Sequence, residues 1–184
     1  MNPFAQNSTI VRALVDVQPL ERADAEAVVD TVFAGLSPHS RFMRFHSPVP
    51  RLPPSVRARL VDVDGRRHAA LVAQVCGEPV GIARVIGGAG DGAELAVSVV
   101  DAWQHRGIGT ALLTAVTELA ERLGYRELRG AVLPENVAMQ GLARKVAPWL
   151  RAHYDGEVVQ ITVPLGAAAW TVTHDDLVAD LVGR

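Results

Sequence analysis

The residues Gln104-His105-Arg106-Gly107-Ile108-Gly109 stand where a β-rich run ending near Val100 gives way to a run with helical spacing. The first backbone N–H groups of a helix have no intrahelical acceptor, and the helix dipole adds partial positive charge, so such a junction binds an anion. Glycines at 107 and 109 let the backbone come close to it. Two familiar phosphate loops are excluded. GxxxxGK[ST] is absent, and Gly107-x-Gly109 is followed by Leu112 where a dinucleotide fingerprint has its third small residue. A second glycine-dense stretch, Gly87 to Gly92, lies between two strand-like runs with no helix after it and reads as a hairpin turn. His39, His46, His68 and His105 share no ligand spacing, and Cys76 is the single cysteine, so no metal site and no internal disulfide is expected.

The surrounding pattern supplies the elements that position the loop. Ile10 to Val17 reads as a strand, followed by a helix from Asp24 to about Phe33 with Gly35 as its stop. Ser37-Pro38 announces a short helix through Phe45, the Pro-rich stretch Ser47 to Pro54 is its exit, and a third short helix lies around Val56 to Leu60. His68 to Val75 and Val80 to Ile86 form a hairpin about Cys76-Gly77-Glu78-Pro79, and Glu94 to Val100 is the next strand. From Gly107 to Leu123, Ile108, Ala111, Leu112, Ala115, Val116, Leu119 and Leu123 recur at helical spacing, with Gly124 as the stop. A strand from Glu127 to Leu133, a helix from about Glu135 to Val146 and a strand from Val158 to Val163 complete an α/β pattern.

Composition bounds what this fold serves. The 184 residues suit one domain, here through residue 165, with 166–184 a C-terminal tail that could carry a short helix over 175–182. Hydrophobic residues at 49% and charged residues at 21% describe a globular chain, and a net charge of −2 without a basic tract argues against nucleic acid. No signal peptide and no apolar run of membrane-spanning length is present, which with the lone cysteine suggests the cytoplasm and no membrane partner.

With the strand before it and the helix after it, Gln104-x-x-Gly107-x-Gly109 resembles the acetyl-CoA motif Gln/Arg-x-x-Gly-x-Gly/Ala of the GCN5-related N-acetyltransferase (GNAT) superfamily. The likeness runs over roughly Ile10 to Leu165. Leu36 to Phe45, Asp62 to Ala73 and Ala93 to Leu113 resemble the bacterial protein-lysine acetyltransferase branch.

The resemblance implies a GNAT fold: a central mixed, mostly antiparallel sheet flanked by helices, with acetyl-CoA bound at a splay between central strands. It implies that Val97-Ser98-Val99 lines the pantetheine arm through its backbone, and that amides of Gln104, His105, Arg106, Gly107, Ile108, Gly109 and Thr110 take the pyrophosphate. Arg106 adds a possible phosphate contact, Asn136 either a cofactor contact or a helix cap, and a backbone N–H near Val99 the donor to the thioester oxygen. Glu94 falls where that branch carries its catalytic Glu. An attacking lysine needs such a base, because only about one in 2,500 is neutral at pH 7, a penalty of roughly 4.6 kcal/mol. One departure is plain: the Tyr that often serves as general acid is missing, with Leu142-Ala143-Arg144 in its place, and Tyr154 lies elsewhere. The implied activity is acetyl transfer from acetyl-CoA to protein lysine, by a monomer or homodimer without a metal. A small amine as acceptor, or an acyl-CoA sensor without catalysis, are the alternatives.

Overall fold

A computed structural model describes residues 15–88 and 90–166. Seven strands form one sheet in the order β1-β2-β3-β4-β5-β7-β6. They are β1 (Val15–Pro19), β2 (His68–Val75), β3 (Glu78–Gly87), β4 (Gly92–Val99), β5 (Glu127–Val132), β6 (Arg151–Tyr154) and β7 (Val159–Pro164). Every neighbouring pair is antiparallel except β4 and β5. The helices are α1 (Ala25–Ala34), α2 (Pro38–Phe45), α3 (Pro54–Val61), α4 (Ile108–Arg122) and α5 (Val137–Val146).

Helices cover both faces, which is why β2 and β3 read as nearly continuous apolar runs rather than as alternation. On one face α1 buries Ala25, Val28, Val29 and Val32, a helical stripe, against Ala70, Val72 and Ile82. On the other, α4 buries Ile108, Leu112, Leu113, Val116 and Ala120 against Leu71, Ala73, Ala83 and Val85. Residues of opposite parity on the same strands thus serve two cores. That parity also decides which side chains of β4 face which ligand.

Most expected elements are present within one to three residues of the expected bounds. The hairpin turn is tighter than expected: Val75 pairs with Glu78 around Cys76 (φ 51°) and Gly77 (φ 83°), the double left-handed geometry of a two-residue turn. Gly35 follows α1 but at φ −78°, so left-handed freedom is not its reason. A Cβ there would sit 2.6 Å from Val100, so the position is glycine for contact with the end of β4. Gly124 does adopt φ 86° and closes α4, with Tyr125 N–H bonding Ala120 O at 3.1 Å. The segment between β3 and β4 is a hairpin connection, as expected. Strand β6 was not expected; its four residues are all exposed, so no apolar alternation marks it. Residues 10–14 of the expected first strand and the 175–182 stretch lie outside the described residues.

Candidate active site

The site begins with an interruption in the sheet. Strands β4 and β5 pair in parallel at three positions only, Gly92 with Glu127, Ala93 with Leu128 and Glu94 with Arg129, and then part. The Val100 N–H bonds Val80 O at 2.9 Å, which fixes the alternation along β4. Residues 94, 96 and 98 turn their backbone to β3, while Leu95, Val97 and Val99 turn theirs to the gap left by β5. A strand edge with unmade backbone bonds is a template for an extended, amide-bearing ligand. Among the expected residues, Val97 and Val99 therefore offer backbone groups, whereas Ser98 points its side chain to the α2 side.

The gap opens into a cavity of about 780 Å³ between β4, β5, α2 and α5. It is lined by Glu94, Val97, Ser98, Val99, Gln104, His105, Gly107, Gly109, Thr110 and Asn136, all expected from sequence. Arg106 and Ile108 are not among its lining residues. The Arg106 guanidinium lies 5.1 Å from the Trp103 ring centroid, and the Ile108 side chain is buried in the core, leaving only its N–H to serve a ligand.

At one end of the cavity stands a helix start whose geometry suits an anion. After a 3-10 turn over Asp101–Trp103, His105 takes φ 59° and Gly107 φ 87°, and the first α-helical bond, Ala111 N–H to Gly107 O at 3.0 Å, comes after them. Helix α4 has no side-chain cap and no acidic residue in its first turn. Its leading amides are left for an outside anion. Gly109 has a second reason to be glycine: a Cβ there would meet Leu142 of α5 at 3.1 Å.

The Gln104 side chain is used by the frame. Its Nε2 donates to Val99 O at 3.0 Å and to Ser40 Oγ at 3.3 Å, tying α2 to the end of β4. Asp101 strengthens the tie by accepting the Ser37 N–H at 3.0 Å. Burial pushes its carboxyl up, but hydrogen bonds from Ser37 and Ser40 and the charge of His39 leave it below the usual value. Asn136 is the N-cap of α5, its Oδ1 accepting the Met139 N–H at 3.1 Å while the residue also borders the cavity.

At the other end Glu94 is exposed on β4, at the last pair before the strands part. On its face of the sheet lie two arginines that sequence reasoning did not single out. Arg44 of α2 lines the cavity; burial lowers its proton affinity and the charge of Glu94 raises it. Arg84 of β3 is 2% exposed, and burial first, then the charge of Arg44, lowers its pKa to about 10. Its Nη1 donates to Leu60 O at 2.6 Å and faces His68 Nε2 at 3.1 Å. A guanidinium only donates, so His68 Nε2 is the acceptor and the ring is neutral. Burial, then the charge of Arg84, lowers the His68 pKa accordingly. The available signal was Arg84 itself, a lone charge inside the run Val80 to Ile86.

Neither tyrosine borders the cavity. Tyr154 is on the edge strand β6 with its hydroxyl bonded to Gly156 O at 2.6 Å, and Tyr125 reaches Arg66 O at 3.4 Å. Among the described residues no group of His, Cys, Asp and Glu is arranged to hold a metal ion.

Known proteins share this fold. The model of the acetyltransferase (GNAT) family matches residues 38–147. Acetyltransferase PA5475 of Pseudomonas aeruginosa is 30% identical over 131 residues, which is 68% of this chain and 70% of that protein. The crystal structure of the GNAT domain of S. lividans PAT superposes with a TM-score of 0.74 at 28% identity, over 82% of this chain and 90% of that one. The YncA acetyltransferase of Salmonella typhimurium, solved with its cofactor acetyl-CoA, shares the fold at 18% identity and a TM-score of 0.61, over 84% and 95% of the two chains.

Proposed function

The chain belongs to the GNAT family of acetyltransferases, and from that premise we propose that it transfers the acetyl group of acetyl-CoA to the side-chain amine of a protein lysine, with Glu94 as the base. The unit that does so runs through residue 165. One observation carries the assignment: a carboxylate and an uncapped helix start stand at opposite ends of one parted strand edge. From Glu94 to Val99 an extended strand covers about 17 Å, the reach of a pantetheine arm. The amides from Gln104 to Thr110 hold the pyrophosphate at one end, and the thioester arrives at the other, beside Glu94.

There the Glu94 carboxylate takes a proton from the incoming ammonium, directly or through water. The amine nitrogen then forms a bond to the thioester carbonyl carbon, the C–S bond breaks with the sulfur leaving as thiolate, and the nitrogen gives up its second proton to solvent. With the thioester beside Glu94, the first gap-facing backbone N–H past the paired stretch, that of Val97 rather than Val99, donates to the carbonyl oxygen as charge builds on it. The neighbouring cation Arg44 assists the first step, because a positive charge beside the acceptor disfavours its ammonium form. The absence of a tyrosine at the cavity is tolerable, since a thiol with a reference pKa of about 8.5 leaves without full protonation.

The protein-lysine reading is supported by the exposed position of Glu94, which a side chain on a large partner can reach, and by the 28% identity with the GNAT domain of S. lividans PAT. The test is mass spectrometry of candidate proteins and small amines incubated with acetyl-CoA, with and without this enzyme. Acetyl-lysine in a protein is the expected product. Acetylation confined to small amines would overturn the choice of acceptor, and CoA binding without any transfer would overturn catalysis.

A further inference from the structure

Behind Arg44 lies a second cavity, of about 30 Å³, bounded by α1, α2, Leu52, α3 and the face of β3 and β4 that carries Arg84. Arg44, Phe45, Leu36, Ala96 and Ser98 line both cavities, and through Arg44, on which the charge of Glu94 acts, the small one adjoins the place where the acceptor arrives. Its volume admits about two water-sized atoms, the size of the two oxygens of a carboxylate. Most of its wall is apolar, and its charged lining is Arg84 and Arg44.

These two cations have no anion inside it. Among the described residues no acidic side chain lines the cavity, and Arg84 forms no ion pair. A guanidinium carries five donors, and one nitrogen of Arg84 is held by Leu60 O and His68. The Arg44 guanidinium donates no hydrogen bond to the described residues, and Glu94, outside the small cavity, is the carboxylate whose charge acts on it. Arg84 is buried and Arg44 half-buried on one wall, close enough for their charges to act on each other, and an anion between them relieves that repulsion and supplies the buried guanidinium with a partner. Arg84 is fixed from behind by the last turn of α3 and by neutral His68, which suits a preorganised fork for a planar carboxylate.

We propose that this cavity is a subsite for a carboxylate carried by the acceptor, held between Arg84 and Arg44, so that the enzyme selects amines with a carboxylate near the nitrogen over bare amines. The proposal rests on the reading that the Glu94 end receives the acceptor. For a protein lysine the carboxylate belongs to an acidic neighbour in the acceptor sequence; for a small amine it is the molecule's own.

Calorimetric titration of the full chain loaded with CoA tests it, using L-lysine against L-lysinamide and a Lys-Glu peptide against its Lys-Gln twin. The carboxylate-bearing member of at least one pair binds about 10- to 100-fold more tightly, as charge-assisted bonds require. Which pair responds tells a free amino acid from a peptide. Arg44→Gln erases the difference and leaves CoA affinity unchanged; Arg84→Met does the same if it folds, and Arg44→Gln decides if it does not. Equal binding within both pairs, or no binding by any of the four, overturns the proposal. Mass spectrometry of the same acceptors with acetyl-CoA reads transfer separately: a carboxylate preference in binding without acetylation would keep the subsite and sink the catalytic reading.

Discussion

The two ends of the large cavity are built from different parts of the chain. At the α4 end the groups proposed to meet the cofactor are backbone amides, presented by a loop with two left-handed residues and a helix start without a cap of its own. Even Gln104 spends its side chain on Val99 and Ser40. At the Glu94 end the groups are side chains, Glu94 of β4 and Arg44 of α2, with Arg84 of β3 in the small cavity behind Arg44. Backbone recognition suits a ligand that never changes, and side-chain recognition suits one that differs between enzymes on a common frame.

Breaking each end should therefore damage different steps. Glu94→Gln, which keeps size and removes the base, is expected to lower kcat/KM by about 10²- to 10⁴-fold. Acetyl-CoA affinity, measured by calorimetry, should stay within about twofold by the same reasoning. A matching loss of cofactor affinity would place Glu94 in the wrong end. Gly107→Val forces a β-branched residue into φ 87° at the helix start. A left-handed backbone costs such a residue roughly 1–2 kcal/mol, which translates into about a 10-fold rise in KM for acetyl-CoA with a smaller change in kcat. An unchanged KM would mean that the loop does not hold the cofactor.

The same contrast explains what could be read before the structure was known. The α4 end was legible as a candidate because a helix start that offers backbone amides is marked by glycines: Gly107 sits at φ 87°, and a Cβ at Gly109 would press on Leu142 at 3.1 Å. Helices with an apolar stripe and strands covered on both faces announce themselves by period. The Glu94 end was half legible. Glu94 is recognisable by its place on a strand, but Arg44 reaches the site only because α2 is tied down by Gln104 and Asp101, and Arg84 only because of the parity of β3. Strand β6 was missed because an exposed edge strand has no hydrophobic pattern to show.

The acceptor end should also respond to acid through His68. Burial and Arg84 lower its pKa in the folded protein, while in the unfolded chain it titrates near the ordinary value of about 6.5. Between those two values the unfolded state binds more protons, so stability rises with pH and falls as pH drops below about 6.5. One proton limits the slope to about 1.4 kcal/mol per pH unit, and partial exposure of the ring makes the observed value smaller. Denaturant melts between pH 5 and pH 7 should show this slope in the parent and a shallower one in His68→Gln. Equal slopes would mean that the ring is not the neutral acceptor that holds Arg84.

The smallest effect tests the border between the two ends. Asn136 touches the cavity, yet its Oδ1 is occupied in capping α5. If capping is its work, Asn136→Ala loses about 1 kcal/mol of stability, seen as a fall in Tm of about 2–4 °C for a domain of this size, and leaves the KM for acetyl-CoA nearly unchanged. Asn136→Asp should keep the stability, because its carboxylate accepts the same Met139 N–H and favours the helix start. That substitution also removes the amide donor and adds a negative charge at the cavity. A higher KM in Asn136→Asp with normal stability would show the residue acting on the cofactor as well as on the helix.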